Sequence, residues 1–76
     1  MRELIEYIAA SLVDDPASVR VREVGEGRDT RLELRVARAD LGKVIGREGR
    51  TARAMRSLLS ASGRRHHRSL ALEILE

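Results

Sequence analysis

The residues best placed to do chemistry run from Lys43 to Ala52, in the order Lys43-Val44-Ile45-Gly46-Arg47-Glu48-Gly49-Arg50-Thr51-Ala52. Two glycines bracket two polar residues. Glycine permits a tight turn and lets a foreign backbone approach with no Cβ in the way. A helix starting near Arg50 would present its first N–H groups and the positive end of its dipole at the same point, and both favour an anion. Arg47 and Arg50 add charge beside it. This is chemistry of capture, suited to a phosphate backbone passing over the loop, and not of bond making.

The residues after the loop extend that reading. At about 100° per residue, and with Arg50 at zero, Arg53 falls near 300° and Arg56 near 240°. Ala52, Met55, Leu58 and Leu59 fall between about 80° and 200°. The apolar stripe should enter the core, while the three arginines lead away from the loop as a track for successive phosphates. Other candidates are weaker. His66 and His67 are adjacent, would point to opposite faces of a strand, and have no cysteine or carboxylate at ligand spacing. They read as part of a basic loop. Gly25-Glu26-Gly27 lacks the third glycine and the strand–loop–helix context of a dinucleotide fingerprint, and reads as a turn. Gly42 to Gly49 does not make a G-x-x-x-x-G-K-[ST] loop. No catalytic residue, metal or cofactor is implied.

The elements that must position these residues are legible from periodicity. Leu4, Ile5, Ile8, Leu12 and Val13 make one apolar helical stripe over residues 2–13, ended by Asp14-Asp15-Pro16. Tyr7 on that helix reads as a packing residue with its hydroxyl at the edge, with a place at a protein interface as the other option. Val19 and Val21 alternate with Arg20 and Arg22, which predicts a strand near 18–24. Gly25 to Asp29 are turn-like. Leu32, Leu34 and Val36 alternate with Arg31, Glu33 and Arg35, a strand over 30–37 that pairs with the first as an antiparallel hairpin. Asp40 can N-cap a short helix carrying Leu41, Val44 and Ile45. A longer helix spans about 50–62 and stops at Gly63. Arg64 to Arg68 form a basic loop, and Leu70, Leu72 and Ile74 alternate in a last strand. The order is α-β-β-α-α-β, an α+β fold with a three-stranded sheet packed on helices.

Composition sets bounds on function. The chain has 76 residues, so residues 1–76 read as one small domain. It contains no cysteine, which removes disulfides and thiolate metal sites. Hydrophobic residues make up 42% and aromatics only 1%, the single Tyr7. A surface that stacks bases on aromatic rings is therefore excluded. The net charge of +3 is unevenly spread. Residues 38–68 hold nine basic residues against two acidic ones, a net of +7, whereas residues 1–37 and residues 69–76 each carry −2. A basic segment with acidic flanks is an electrostatic footprint for a polyanion. There is no apolar targeting run behind Met1-Arg2-Glu3, and no stretch approaches the roughly 18 apolar residues of a membrane span. The chain reads as cytoplasmic, without a membrane partner.

Val44-Ile45-Gly46-Arg47-Glu48-Gly49 resembles the V-I-G-x-x-G signature of the KH domain, which clamps about four nucleotides of single-stranded nucleic acid at its GXXG loop. The element order is similar to that of the type II (prokaryotic) KH topology. The whole chain, with Arg50-Thr51-Ala52-Arg53-Ala54-Met55-Arg56 after the loop, resembles the small bacterial single-KH proteins of the KhpA family. The resemblance implies a non-catalytic, cytoplasmic single-stranded RNA-binding protein and RNA chaperone. It also implies that the protein self-associates or pairs with KhpB, a larger protein carrying a KH domain beside a second nucleic-acid-binding domain. In some bacteria that pair is linked to cell-length and cell-wall homeostasis. By position, Gly46 and Gly49 shape the loop and Arg47 and Glu48 are its variable pair. Val44 and Ile45 line the base-contacting groove or support it from the core, and Lys43, Arg50 and Arg53 meet phosphates. Two positions depart from the pattern. Ala52 stands where many KH domains carry a large aliphatic residue, so Met55 or Leu41 should fill the core there. Glu48 places a negative charge beside Arg47, which should weaken phosphate binding.

Two alternatives stay open on the residues alone. Helices near 40–45 and 50–62 about a glycine turn superficially fit a helix-turn-helix DNA binder. A small protein-interaction subunit with slight RNA affinity of its own is the other.

Overall fold

The computed structural model describes residues 1–76. A helix, α1 (Arg2–Leu12), leads through a 3-10 turn at Pro16–Ser18 into strands β1 (Arg20–Glu26) and β2 (Asp29–Arg35). A second 3-10 turn at Arg38–Asp40 precedes the short helix α2 (Leu41–Ile45). A third at Arg47–Gly49 joins it to α3 (Arg50–Arg65), and β3 (Ser69–Leu75) completes the chain. The expected order α-β-β-α-α-β is present. The sheet order is β1-β2-β3, with β1 antiparallel to β2 and β3 parallel to β2. The parallel pairing needs a crossover, which α2 and α3 supply.

Alternation decides which side of the sheet is packed. Val21, Leu32, Leu34 and Leu72 are buried on one face and meet Ile5 and Ala9 of α1, Val44 of α2, and Met55 and Leu59 of α3. The intervening strand residues Arg20, Arg22, Arg31, Arg35, Ala71 and Glu73 are exposed on the other. All the helical cover therefore lies on one face, as a two-layer α+β domain requires. No helix is long and apolar enough to cross a membrane.

The hairpin is tighter than the glycine-rich stretch suggests. Both strands run on to the Glu26↔Asp29 pair, leaving only Gly27 and Arg28 as the turn, with Gly27 at φ 61. The start of α2 also differs from expectation. Asp40 occupies the N-cap position but makes no capping hydrogen bond. Its carboxylate instead turns toward the connection after α1, accepts the Asp15 N–H at 3.1 Å and lies 3.5 Å from Lys43 Nζ.

α3 does not stop at Gly63. It continues to Arg65, and Gly63 is buried inside it, where a β-carbon would collide with the carbonyl of Arg68 as the chain turns back toward β3. The residue in the left-handed terminal position is His67, at φ 55. The Arg68 N–H donates to the Gly63 carbonyl at 2.7 Å and the His67 N–H to the Arg64 carbonyl at 3.3 Å, the paired bonds of a Schellman ending. Arg64 and Arg65 are thus helical, and the loop shrinks to His66–Arg68. The two histidines belong to no cluster of metal-ligating side chains. Four residues read into packing stripes or as packing residues are exposed: Leu58 at 48%, Tyr7 at 73%, Leu12 at 40% and Leu4 at 39%. Met55, one of the two residues expected to fill the core beside Ala52, is buried at 1% exposure.

Candidate nucleic-acid interface

The loop between α2 and α3 is built from backbone conformations that few residues adopt. Gly46 leaves α2 at φ 80 and ψ 169. Glu48 follows at φ 57, ψ 25, and Gly49 at φ 75, ψ 12 opens α3. The turn is closed by the Gly49 N–H donating to the Gly46 carbonyl at 3.1 Å. Gly46 is needed twice over, because a β-carbon there would run into the Thr51 side chain and lie 2.8 Å from the Thr51 nitrogen. Over Gly49, by contrast, the space is open. No side chain caps the start of α3. Its first turn therefore keeps the anion preference of an uncapped helix N-terminus.

The arginines around the loop divide by task. Arg47 stands exposed in the turn. Arg50, with a side chain 71% exposed, is 3.9 Å from the Glu48 carboxylate, so the acidic loop residue is partly answered by its own neighbour. Arg53 donates to the Glu48 carbonyl at 2.8 Å and braces the loop from the first turn of α3. Arg56 reaches across to β3 and donates to the Leu72 carbonyl at 3.4 Å.

The pair Val44-Ile45 splits between core and surface. Val44 is fully buried, while Ile45 is 41% exposed and faces an open groove of about 620 Å³. One wall of the groove is Ile45, Gly49 and Ala52; the other is Ala71, Leu72 and Ile74 of β3. Arg31, Arg53 and Arg56 stand along it with Glu48 and Glu73. An apolar floor between cationic edges can hold bases within and phosphates at the rim.

The structure brings Ile45, Gly49, Arg53 and Glu48 together at the groove, with Gly46, Arg47 and Arg50 at its loop end. Lys43 lies elsewhere. Its ammonium is 3.1 Å from Asp14 and 3.5 Å from Asp40. The Asp14 carboxylate, then Asp40, raise the Lys43 pKa above its ordinary value. Burial pushes the Asp40 carboxyl up, but the backbone N–H groups of Asp14 and Asp15 and the Lys43 charge outweigh it, and the net direction is down. This cluster fastens α2 to the end of α1 and so sets the position from which the loop departs. Sequence reasoning missed the β3 wall and Arg31. The alternation of Arg31, Glu33 and Arg35 was visible, but only the parallel pairing of β3 to β2 carries Arg31 to the groove.

The sequence matches a known family along nearly its whole length. The family model for the KhpA/KhpB KH domain matches residues 2–74. "RNA-binding protein KhpA" of Treponema pallidum is 55% identical over 75 residues, covering 97% of this chain and 92% of that protein. The protein of the same name from Borreliella burgdorferi is 49% identical over 97% of this chain and 90% of its own length. That from Halalkalibacterium halodurans is 45% identical over the full length of both. No solved structure matches the chain. With a signature loop, an α-β-β-α-α-β order and full-length relatives in agreement, the chain belongs to the KhpA/KhpB KH-domain family, a family of nucleic-acid-binding modules and not of enzymes.

Proposed function

We propose that this chain, as a single KH unit over residues 1–76, binds single-stranded RNA in the groove between the α2–α3 loop and β3. The observation that carries the reading is the open apolar groove with Gly46-Arg47-Glu48-Gly49 at one end and arginines along its edges. The relatives' name, RNA-binding protein, supports it. In this reading Gly46 and Gly49 let the RNA backbone approach. Arg47 and Arg50 meet its phosphates, Ile45 contacts bases, Val44 supports the wall from the core, and Arg53 holds the loop in shape. Lys43 reaches RNA only by releasing Asp14.

The test replaces Arg47 and Glu48 together by Asp-Asp and measures binding to a short single-stranded RNA. Binding should be lost at moderate salt, and retention of wild-type affinity refutes the loop as the site. For the wild type, four or five phosphate contacts give a log–log salt slope of roughly −3, and a flat response counts against the whole mode. A helix-turn-helix reading is disfavoured by α2, which has only 5 residues. Preference for duplex DNA over single-stranded RNA in competition would restore it.

One KH unit grips about four nucleotides, too few for high affinity alone. We therefore include self-association, or pairing with a larger KH-containing protein such as KhpB, in a cytoplasmic RNA chaperone and post-transcriptional regulator. The exposed Tyr7, Leu58, Leu4 and Leu12 support a protein-facing surface. Multivalency would raise the effective affinity. Sedimentation as a strict monomer, with no KH partner recovered from cells, overturns this part.

A further inference from the structure

The open face of the sheet gathers charges that are scattered in the sequence. Its cross-strand rows are Arg20–Arg35–Leu75, Arg22–Glu33–Glu73 and Val24–Arg31–Ala71. Four arginines from the acidic half of the chain thus share one uncovered surface. Glu33 is bridged by Arg22 at 2.9 Å and Arg31 at 3.1 Å, so its charge is answered locally. Arg20 donates to the carbonyls of Ala17 and Val19, both at 2.8 Å, which fixes its guanidinium without neutralising it. Arg35 stands directly opposite Arg20, and like charges so placed repel. Together with Val21, Arg22 and Glu33 they line a depression of about 360 Å³. An anion seated there would offset the like charges of the pair.

Position decides which anion. Arg31 lines the groove and also bonds Glu33, so it joins the two surfaces. β1 lies two strand spacings from β3, roughly 10 Å, within reach of the next phosphates of a strand leaving the groove. Glu26 and Asp29 make the hairpin end of this face acidic, which directs a polyanion toward the Arg20–Arg35 end. Apolar area on the face is confined to Val24, Ala71 and Leu75, little for a protein partner to bury.

We propose that this sheet face, centred on Arg20, Arg22 and Arg35, is a second phosphate-contacting surface that holds nucleotides flanking those in the groove on the same RNA strand. It rests on the groove reading, because the groove brings the strand to β3. With no aromatic side chain, the contact is to phosphate and independent of sequence.

The experiment compares RNA of about four nucleotides, the length one KH groove takes, with RNA about twice as long, by fluorescence anisotropy. The Arg20→Ala/Arg35→Ala variant should bind the short RNA like wild type. It should bind the longer one about fivefold to tenfold more weakly, with a salt slope shallower by about 1.4 for two lost contacts. Arg35→Gln alone, a milder change at an exposed site, should show about half that change in slope. Equal affinity of wild type and both variants for the longer RNA overturns the proposal, as does an equal loss on both lengths. The Asp-Asp loop variant reports separately. If it keeps short-RNA binding, the groove reading fails, whereas the sheet face is judged only by the length-dependent loss.

Discussion

The guanidinium of Arg53 donates a 2.8 Å hydrogen bond to the main-chain carbonyl of Glu48, five residues earlier, across the start of α3. Glu48 is one of only two non-glycine residues with positive φ, the other being His67. Left-handed backbone costs an L-residue roughly 1–2 kcal/mol, so the loop needs an external hold, and this bond supplies it. A residue read from the sequence as a phosphate contact is thereby the residue that braces the loop between α2 and α3.

Arg53→Ala should weaken RNA binding by up to about 10- to 150-fold, the worth of one charge-assisted hydrogen bond of about 1.5–3 kcal/mol. Global stability should fall by no more than that same amount. Amide exchange over 46–49 should speed up in the same variant. If affinity falls while exchange does not change, Arg53 acts by touching RNA and not by bracing the loop.

The two loop glycines should separate under substitution by alanine. Gly46→Ala meets both positive φ and the Thr51 side chain, and should destabilise the fold by about 2 kcal/mol or more in denaturant unfolding. Gly49→Ala has open space and should cost only about 1 kcal/mol of stability. Its added methyl projects into the open space where the proposed function passes the RNA backbone, so RNA binding should suffer more than the fold does.

Core and surface positions on α3 give a further contrast. Met55→Ala empties a fully packed site and should cost about 2–5 kcal/mol. Leu58→Ala, half-exposed one turn away, should cost under about 1 kcal/mol. Comparable losses at both positions would mean that Leu58 is covered in solution.

The Asp40 cluster predicts a pH dependence. The Asp40 carboxyl is held below its ordinary value in the fold, so its contribution is present above the unfolded pKa, near about 3.9, and is lost as pH falls through the folded one. The raised Lys43 pKa works the other way, its contribution lost only as strongly alkaline pH passes the folded value. Thermal melts of the wild type should fall steeply below about pH 4. Asp40→Asn should be less stable at neutral pH and show a flatter acid limb. An unchanged acid limb would place the acid sensitivity elsewhere, with Glu33, also held low by Arg31 and Arg22, the next residue to substitute.

Local pattern carried much of the architecture. The period-two runs at Val19–Val21 and Leu32–Leu34 gave their strands, displaced by a residue or two, because alternation reports burial directly. The end of α3 escaped it. Gly63 has the residue type of a helix stop, yet its missing side chain serves the close approach of Arg68, a contact that exists only once β3 has docked. Asp40 escaped for a similar reason: capping is a local option, and the N–H groups of the α1 connection, far off in sequence, compete for the same carboxylate.

By itself the sequence determined the loop. Its glycines, its arginines and the helices on either side are neighbours along the chain, so their chemistry can be read without knowing where anything else lies. The tertiary structure decided what faces that loop. Parallel pairing of β3 with β2 built the second wall of the groove and carried Arg31 to its edge, while the antiparallel β1–β2 register gathered Arg20, Arg22 and Arg35 on the open face. Strand partners are chosen by burial of the whole apolar face and not by adjacent residues. A net charge counted along the chain therefore could not show that the acidic half contributes a basic surface.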